Sequence, residues 1–139
     1  MRKIQIDRRT WIRGDDTVAA TAEDGTPYAQ GSMLLRPADG HMCCVGQVCV
    51  QLGIPAKKLE GVATVDDLFN DKVEVPEELR EPNRYASSYN DEEAESFVEA
   101  DGLGLAYSIN DDPDTTDEYK EAELIPLFAK LGLDVEFIN

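Results

Sequence analysis

The sequence predicts an α+β fold: a small sheet containing both the N- and C-terminal strands, packed with three to four helices. Two observations lead there. Residues 3–7, KIQID, and residues 133–138, LDVEFI, both alternate apolar and polar side chains with the period of a strand. Between them lie apolar or amphipathic stretches bounded by Gly and Pro, the usual punctuation of helices. At 139 residues the chain has the length of one domain, and a single domain spanning 1–139 is expected.

The elements follow in order. After the first strand, Trp11 and Ile12 extend it beyond a break. Thr17, Val18 and Tyr28 flank Asp24-Gly25, a turn pair that suits a loose hairpin. Residues 32–36, SMLLR, stop at Pro37, and Asp39-Gly40 reads as a turn. The most apolar stretch, 42–52 (MCCVGQVCVQL), is read as a buried helix ended by Gly53 and Pro55, with a strand as the competing reading. A short helical turn is expected at 65–69. Pro76 opens another, because proline is tolerated in a helix first turn. Asn90 with Glu93 makes a capping box for a helix reaching Asp101, and residues 103–109 are a buried helix or turn. Thr115 with Glu118 offers a second capping box for a final helix over about 116–131. On that helix Tyr119, Ala122, Ile125 and Ala129 share a face, broadened by Leu124, Leu127, Phe128 and Leu131. Pro126 inside it is expected to kink or split it.

Charge is unevenly distributed. There are 13 basic and 29 acidic residues, a formal net charge of −16. Residues 1–60 hold eight basic and seven acidic residues, net +1, whereas residues 61–139 hold five basic and 22 acidic, net −17. The first 13 residues alone carry +4, and residues 90–123 hold 13 acids against Lys120. Such a balance excludes direct nucleic-acid binding by phosphate neutralisation, which needs a basic surface. No apolar run approaches the roughly 18 residues of a membrane span. The basic N-terminus lacks the apolar region of a signal peptide. Three cysteines cannot all pair within one chain, so free thiols in a reducing cytoplasm are expected.

Three groups of residues invite a chemical reading. His41, Cys43, Cys44 and Cys49 are of the types that bind zinc, but adjacent Cys43 and Cys44 diverge on a helix and no second CxxC pair exists. Close packing of small thiols beside Gly46 is the simpler reading. Asn110, Asp112, Asp114, Glu118 and Glu121 fall at oxygen-ligand positions of a calcium loop. Thr115 and Asp117, however, stand where the template wants Gly and an apolar residue, so an acidic helix N-terminus accounts for them more simply. The acid run is the third. On a helix over 91–101, Glu92, Glu95 and Glu99 line one face, with Asp91 and Glu93 beside them. Four helical residues rise about 6 Å, comparable to phosphate spacing along a nucleic-acid strand. With one histidine and no phosphate loop, the familiar catalytic sets are missing.

Trp11 with Arg13-Gly14, the segment Met42-Cys43-Cys44-Val45-Gly46, the run Ser108-Ile109-Asn110-Asp111-Asp112, and the ending from Leu127-Phe128-Ala129 to Val135-Glu136-Phe137 carry a resemblance. Together they resemble a family of small uncharacterised proteins encoded by bacteriophages and prophages. The middle segment there is usually Cys-Cys-Leu-Gly, so Val45 departs from it. The resemblance implies a phage origin and action in the host cytoplasm. It implies no activity. No cofactor is expected from the residues.

Taken together, the residues lead to the expectation of a non-enzymatic accessory protein. It would bind a host protein, of basic nucleic-acid-binding type, through an acidic surface that mimics nucleic acid. Asp91, Glu92, Glu95, Glu99, Asp111 and Asp112 are its candidate contacts. Two alternatives stand beside it: a metal-dependent module or enzyme using Cys43, Cys44 and Cys49 or the 110–121 loop, and a structural protein that self-associates through 42–52 and 103–109.

Overall fold

A computed structural model describes residues 2–80 and 103–139. The two chain ends do pair. Strand β1 (Arg2–Asp7) lies parallel to β4 (Leu133–Ile138), with Ile4 opposite Val135 and Ile6 opposite Phe137. Alternation places Ile4, Ile6, Leu133 and Val135 on the buried side, as the sequence period requires. The hairpin around Asp24-Gly25 forms as a separate two-stranded antiparallel sheet, β2 (Val18–Thr21) with β3 (Pro27–Gln30). Gly25 takes a positive φ of 87° in that turn, which glycine adopts without steric cost.

Helix α1 (Cys44–Gln51) is the buried helix of the apolar stretch, followed by short α2 (Ala56–Leu59) and α3 (Val65–Asn70). Beyond Pro76 only a single 3-10 turn forms, Glu77–Leu79. Helix α4 (Leu103–Asp111) confirms a helix for the stretch that sequence left between helix and turn. Helix α5 (Asp117–Lys130) leads into β4 through Gly132. The architecture is thus α+β, with α1 packed on β1, α5 on β4, and α4 touching both helices. The helix expected from Asn90 to Asp101 lies outside the described residues.

At Gln5 and Asp7 the outer edge of β1 is closed by side chains. Gln51 on α1 accepts from Gln5 N at 2.8 Å and donates to Gln5 O at 2.7 Å. One helical turn earlier, Gln47 accepts from Asp7 N at 2.8 Å and donates to Asp7 O at 3.2 Å. Residues i and i+4 of a helix thus match i and i+2 of a strand. Two carboxamides do the work of a neighbouring strand and leave no open backbone edge there.

Two expectations are corrected and one is narrowed. The cap of α5 is Thr116, not Thr115: its hydroxyl accepts from Tyr119 N at 3.1 Å. Thr115 Oγ1 is engaged instead by the Lys120 ammonium. Helix α5 continues through Pro126 without splitting. Proline removes the donor that Ala122 O would use, and Ala122 lies at an exposed position, open to solvent. Finally, the buried face of α5 is Lys120, Leu124, Leu127 and Phe128, whereas Tyr119 and Ile125 face outward.

Candidate functional site

The corner where α4 meets α5 holds the 110–121 segment that the sequence singled out. It is built from Asn110 outward. Asn110 is completely buried and uses both ends of its carboxamide. Its Oδ1 accepts from the Trp11 indole N–H at 2.7 Å and from Cys44 N at 3.1 Å. Its Nδ2 donates to Ile12 O at 3.0 Å and to Asp111 Oδ1 at 2.8 Å. Its carbonyl accepts from Gly14 N at 2.8 Å. One side chain thereby joins the segment after β1, the start of α1 and the end of α4.

Lys120 organises the loop between the helices. Its ammonium donates to Asp112 O at 2.6 Å, Thr115 O at 2.9 Å and Thr115 Oγ1 at 2.6 Å. A buried cation is tolerated only when it is surrounded by acceptors, and these three supply them. The 110–121 segment therefore wraps a lysine. Of the five calcium-loop positions, two are engaged elsewhere, Asn110 in the core and Glu121 by Arg8. Asp117 also turns to an arginine.

Those arginines come from the basic N-terminal segment. Arg8 makes a two-pronged contact with Glu121, at 2.6 and 2.9 Å. Arg13 reaches Asp117 at 3.0 Å, stacks 4.7 Å from the Trp11 ring centroid, and also donates to the carbonyls of Arg8 and Trp11. Arg9 pairs with Asp7, holding that carboxyl at about 2. Fully buried Arg36 is clamped between Asp39, at 2.8 and 3.1 Å, and Asp16, whose carbonyl and carboxylate lie at 3.0 and 3.3 Å. The Arg36 guanidinium holds the Asp39 carboxyl below the usual carboxylate range.

The two charge poles of the sequence therefore meet in space where Arg8 and Arg13 are engaged by Glu121 and Asp117 of α5. What remains outward is acidic. Asp111, Asp114, Glu118 and Glu123 are exposed and make no ion pair among the described residues. Of the six candidate contacts, Asp91, Glu92, Glu95 and Glu99 lie outside the described residues. Asp111 sits at this corner and is exposed. Asp112 is half-buried and shapes the loop, its carboxylate accepting from Asp114 N at 2.9 Å.

The cysteines stand apart from this surface. Cys43, Cys44 and Cys49 are free and buried. Burial pushes the Cys43 thiol up to about 12 and raises those of Cys44 and Cys49, so the nucleophilic thiolate is suppressed. His41 is turned to Asp39, its Nδ1 at 3.3 Å. Among the described residues no three His, Cys, Asp or Glu side chains converge as a metal site. A cavity of about 700 Å³ lies on another side, with Leu52 and Ile54 in its lining. It brings together Arg2, Lys58, Lys72 and Arg80, with carboxylates at 71, 74, 77 and 78 among them.

Sequence reasoning treated Asn110 as a candidate ligand and Lys120 as a solitary base. Two signals pointed elsewhere: a carboxamide ending the apolar run LGLAYSI, and one lysine alone among acids. Comparison with known proteins finds no matching family model, no matching curated protein and no matching solved structure.

Proposed function

We propose that this protein is a non-enzymatic binding protein that engages a basic partner protein through the acidic surface of its C-terminal half. In the phage setting that the resemblance implies, the partner is a nucleic-acid-binding protein of the host cytoplasm. One observation carries the reading. Arg8, Arg13, Arg36 and Lys120 are engaged by internal acceptors, while Asp111, Asp114, Glu118 and Glu123 face outward without a cation among the described residues. Charge segregated in this way steers a complementary partner and sets association rate more than it adds contact energy. The phosphate-like spacing expected of Glu92, Glu95 and Glu99 belongs to residues outside those described.

The test is capture of bacterial proteins on the tagged chain at low and high salt, beside a triple variant Asp114→Lys, Glu118→Lys, Glu123→Lys. The reading expects one identified basic nucleic-acid-binding protein, retained at low salt, released at high salt and lost with the variant. Equal retention by the charge-reversed variant, or a partner insensitive to salt, refutes it.

A further inference from the structure

We propose that the outward stripe of α5, formed by Tyr119, Ala122 and Ile125, is the docking seat for a basic amphipathic segment of the partner protein; this rests on the acidic-surface reading above. Helix α5 is apolar on two opposed sides. Inward lie Leu124, Leu127 and Phe128, all buried. Outward, Tyr119 is 50% exposed and Ile125 is 39% exposed, with Ala122 between them and Pro126 beside them, both exposed. Steps of three residues line these side chains along the helix. A helix at the surface ordinarily turns polar residues to solvent; one that is apolar on both sides is built to be covered. Among the described residues only Tyr28 and Phe69 are comparable exposed large hydrophobic side chains, and both lie on other elements.

Charge decides the occupant. Asp114, Glu118 and Glu123 border the first turns of the stripe, and none has an ion pair among the described residues. The carboxylates turned toward the body, Asp117 and Glu121, are held by Arg13 and Arg8. A second copy would bring the same acids and a net charge of −16. Nucleic acid is repelled for the same reason. A segment with lysine or arginine on its flanks and aliphatic side chains on its contact face satisfies both the rim and the stripe. Tyrosine is among the residue types that most often act as energetic anchors in interfaces.

The experiment uses the full chain and two synthetic peptides of equal positive charge. One is an oligolysine; the other is a helix-forming Leu–Lys peptide with its leucines on one face. Calorimetric titration and amide chemical-shift mapping read the binding. The Leu–Lys peptide is expected to bind at least about tenfold tighter, with shifts centred on residues 118–126. The double variant Tyr119→Ala, Ile125→Ala should lose that gain, keep oligolysine binding and keep its thermal midpoint. Equal affinity for the two peptides overturns the stripe and leaves the acidic surface standing. Absence of binding by either overturns both. A large fall in the variant's midpoint would show the stripe covered by the chain's own residues. A dimer in light scattering that the variant abolishes would make a second copy the occupant. Each of those two results overturns the proposal.

Discussion

The indole N–H of Trp11 donates to the carboxamide oxygen of Asn110 across 99 residues of sequence. Cys44 N shares that oxygen, so a single buried acceptor ties the chain's early segment to the first turn of α1 and the last turn of α4. Removing one partner from a buried hydrogen-bond set costs more than a mean hydrogen bond contributes, because the groups left behind lose water without replacement.

Asn110→Ala is therefore expected to destabilise the fold by about 3 kcal/mol in urea unfolding, since the Trp11 indole, Cys44 N and Ile12 O are all orphaned. Trp11→Phe should cost less, because Asn110 keeps its bonds to Cys44 and Ile12. Equal midpoints for these two variants would show that the carboxamide is not the node.

Gly46 is required by the approach of α1 to the chain at Leu34. A Cβ there would sit 2.9 Å from Leu34 Cα and closer still to the Leu34 carbonyl, which is backbone and cannot swing aside. Gly46→Ala should cost about 3 kcal/mol or more, although alanine is the better helix former. Gly31→Ala is the control: its Cβ would meet only Thr17 Cγ2, at an ordinary 4.0 Å. Its unfolding midpoint should stay within about 0.5 kcal/mol of the parent.

Lys120 holds the acceptors that a cation in the 112–115 loop would need. Calcium in millimolar excess, or a chelator, should leave the thermal midpoint unchanged, because only a ligand bound preferentially to the native state shifts it. A rise of several degrees with calcium would mean that the ion displaces the ammonium.

Acid should weaken the protein through Asp39. Its native pKa is lowered by the Arg36 guanidinium, so its contribution is complete above the ordinary carboxylate value of 3.8. The contribution drains away as pH falls through the lowered native value. Asp39→Asn should flatten the loss of stability between pH 5 and pH 2, read as urea midpoints at each pH. An unchanged slope would assign acid sensitivity to other carboxylates, such as Asp7, whose native value is about 2.

By itself the sequence determined what depends on near neighbours. Alternation in KIQID and LDVEFI marked the two strands that pair, because a strand's facing repeats every second residue. Asp24-Gly25 marked the hairpin, and Gly53 with Pro55 marked the end of α1, because glycine and proline restrict the backbone locally. Tertiary structure decided what depends on distant partners. Tyr119 and Ile125 read as apolar helix positions beside Leu124 and Phe128, and only packing against β4 and α4 settled which side of α5 faces inward. Thr116 rather than Thr115 became the cap because the Lys120 ammonium draws in Thr115. The gulf between a basic beginning and an acidic end closed once Arg8 and Arg13 met Glu121 and Asp117 more than 100 positions away. Charge along a chain is additive and can be read in order, whereas charge on a surface depends on which groups folding brings within a few ångströms of one another.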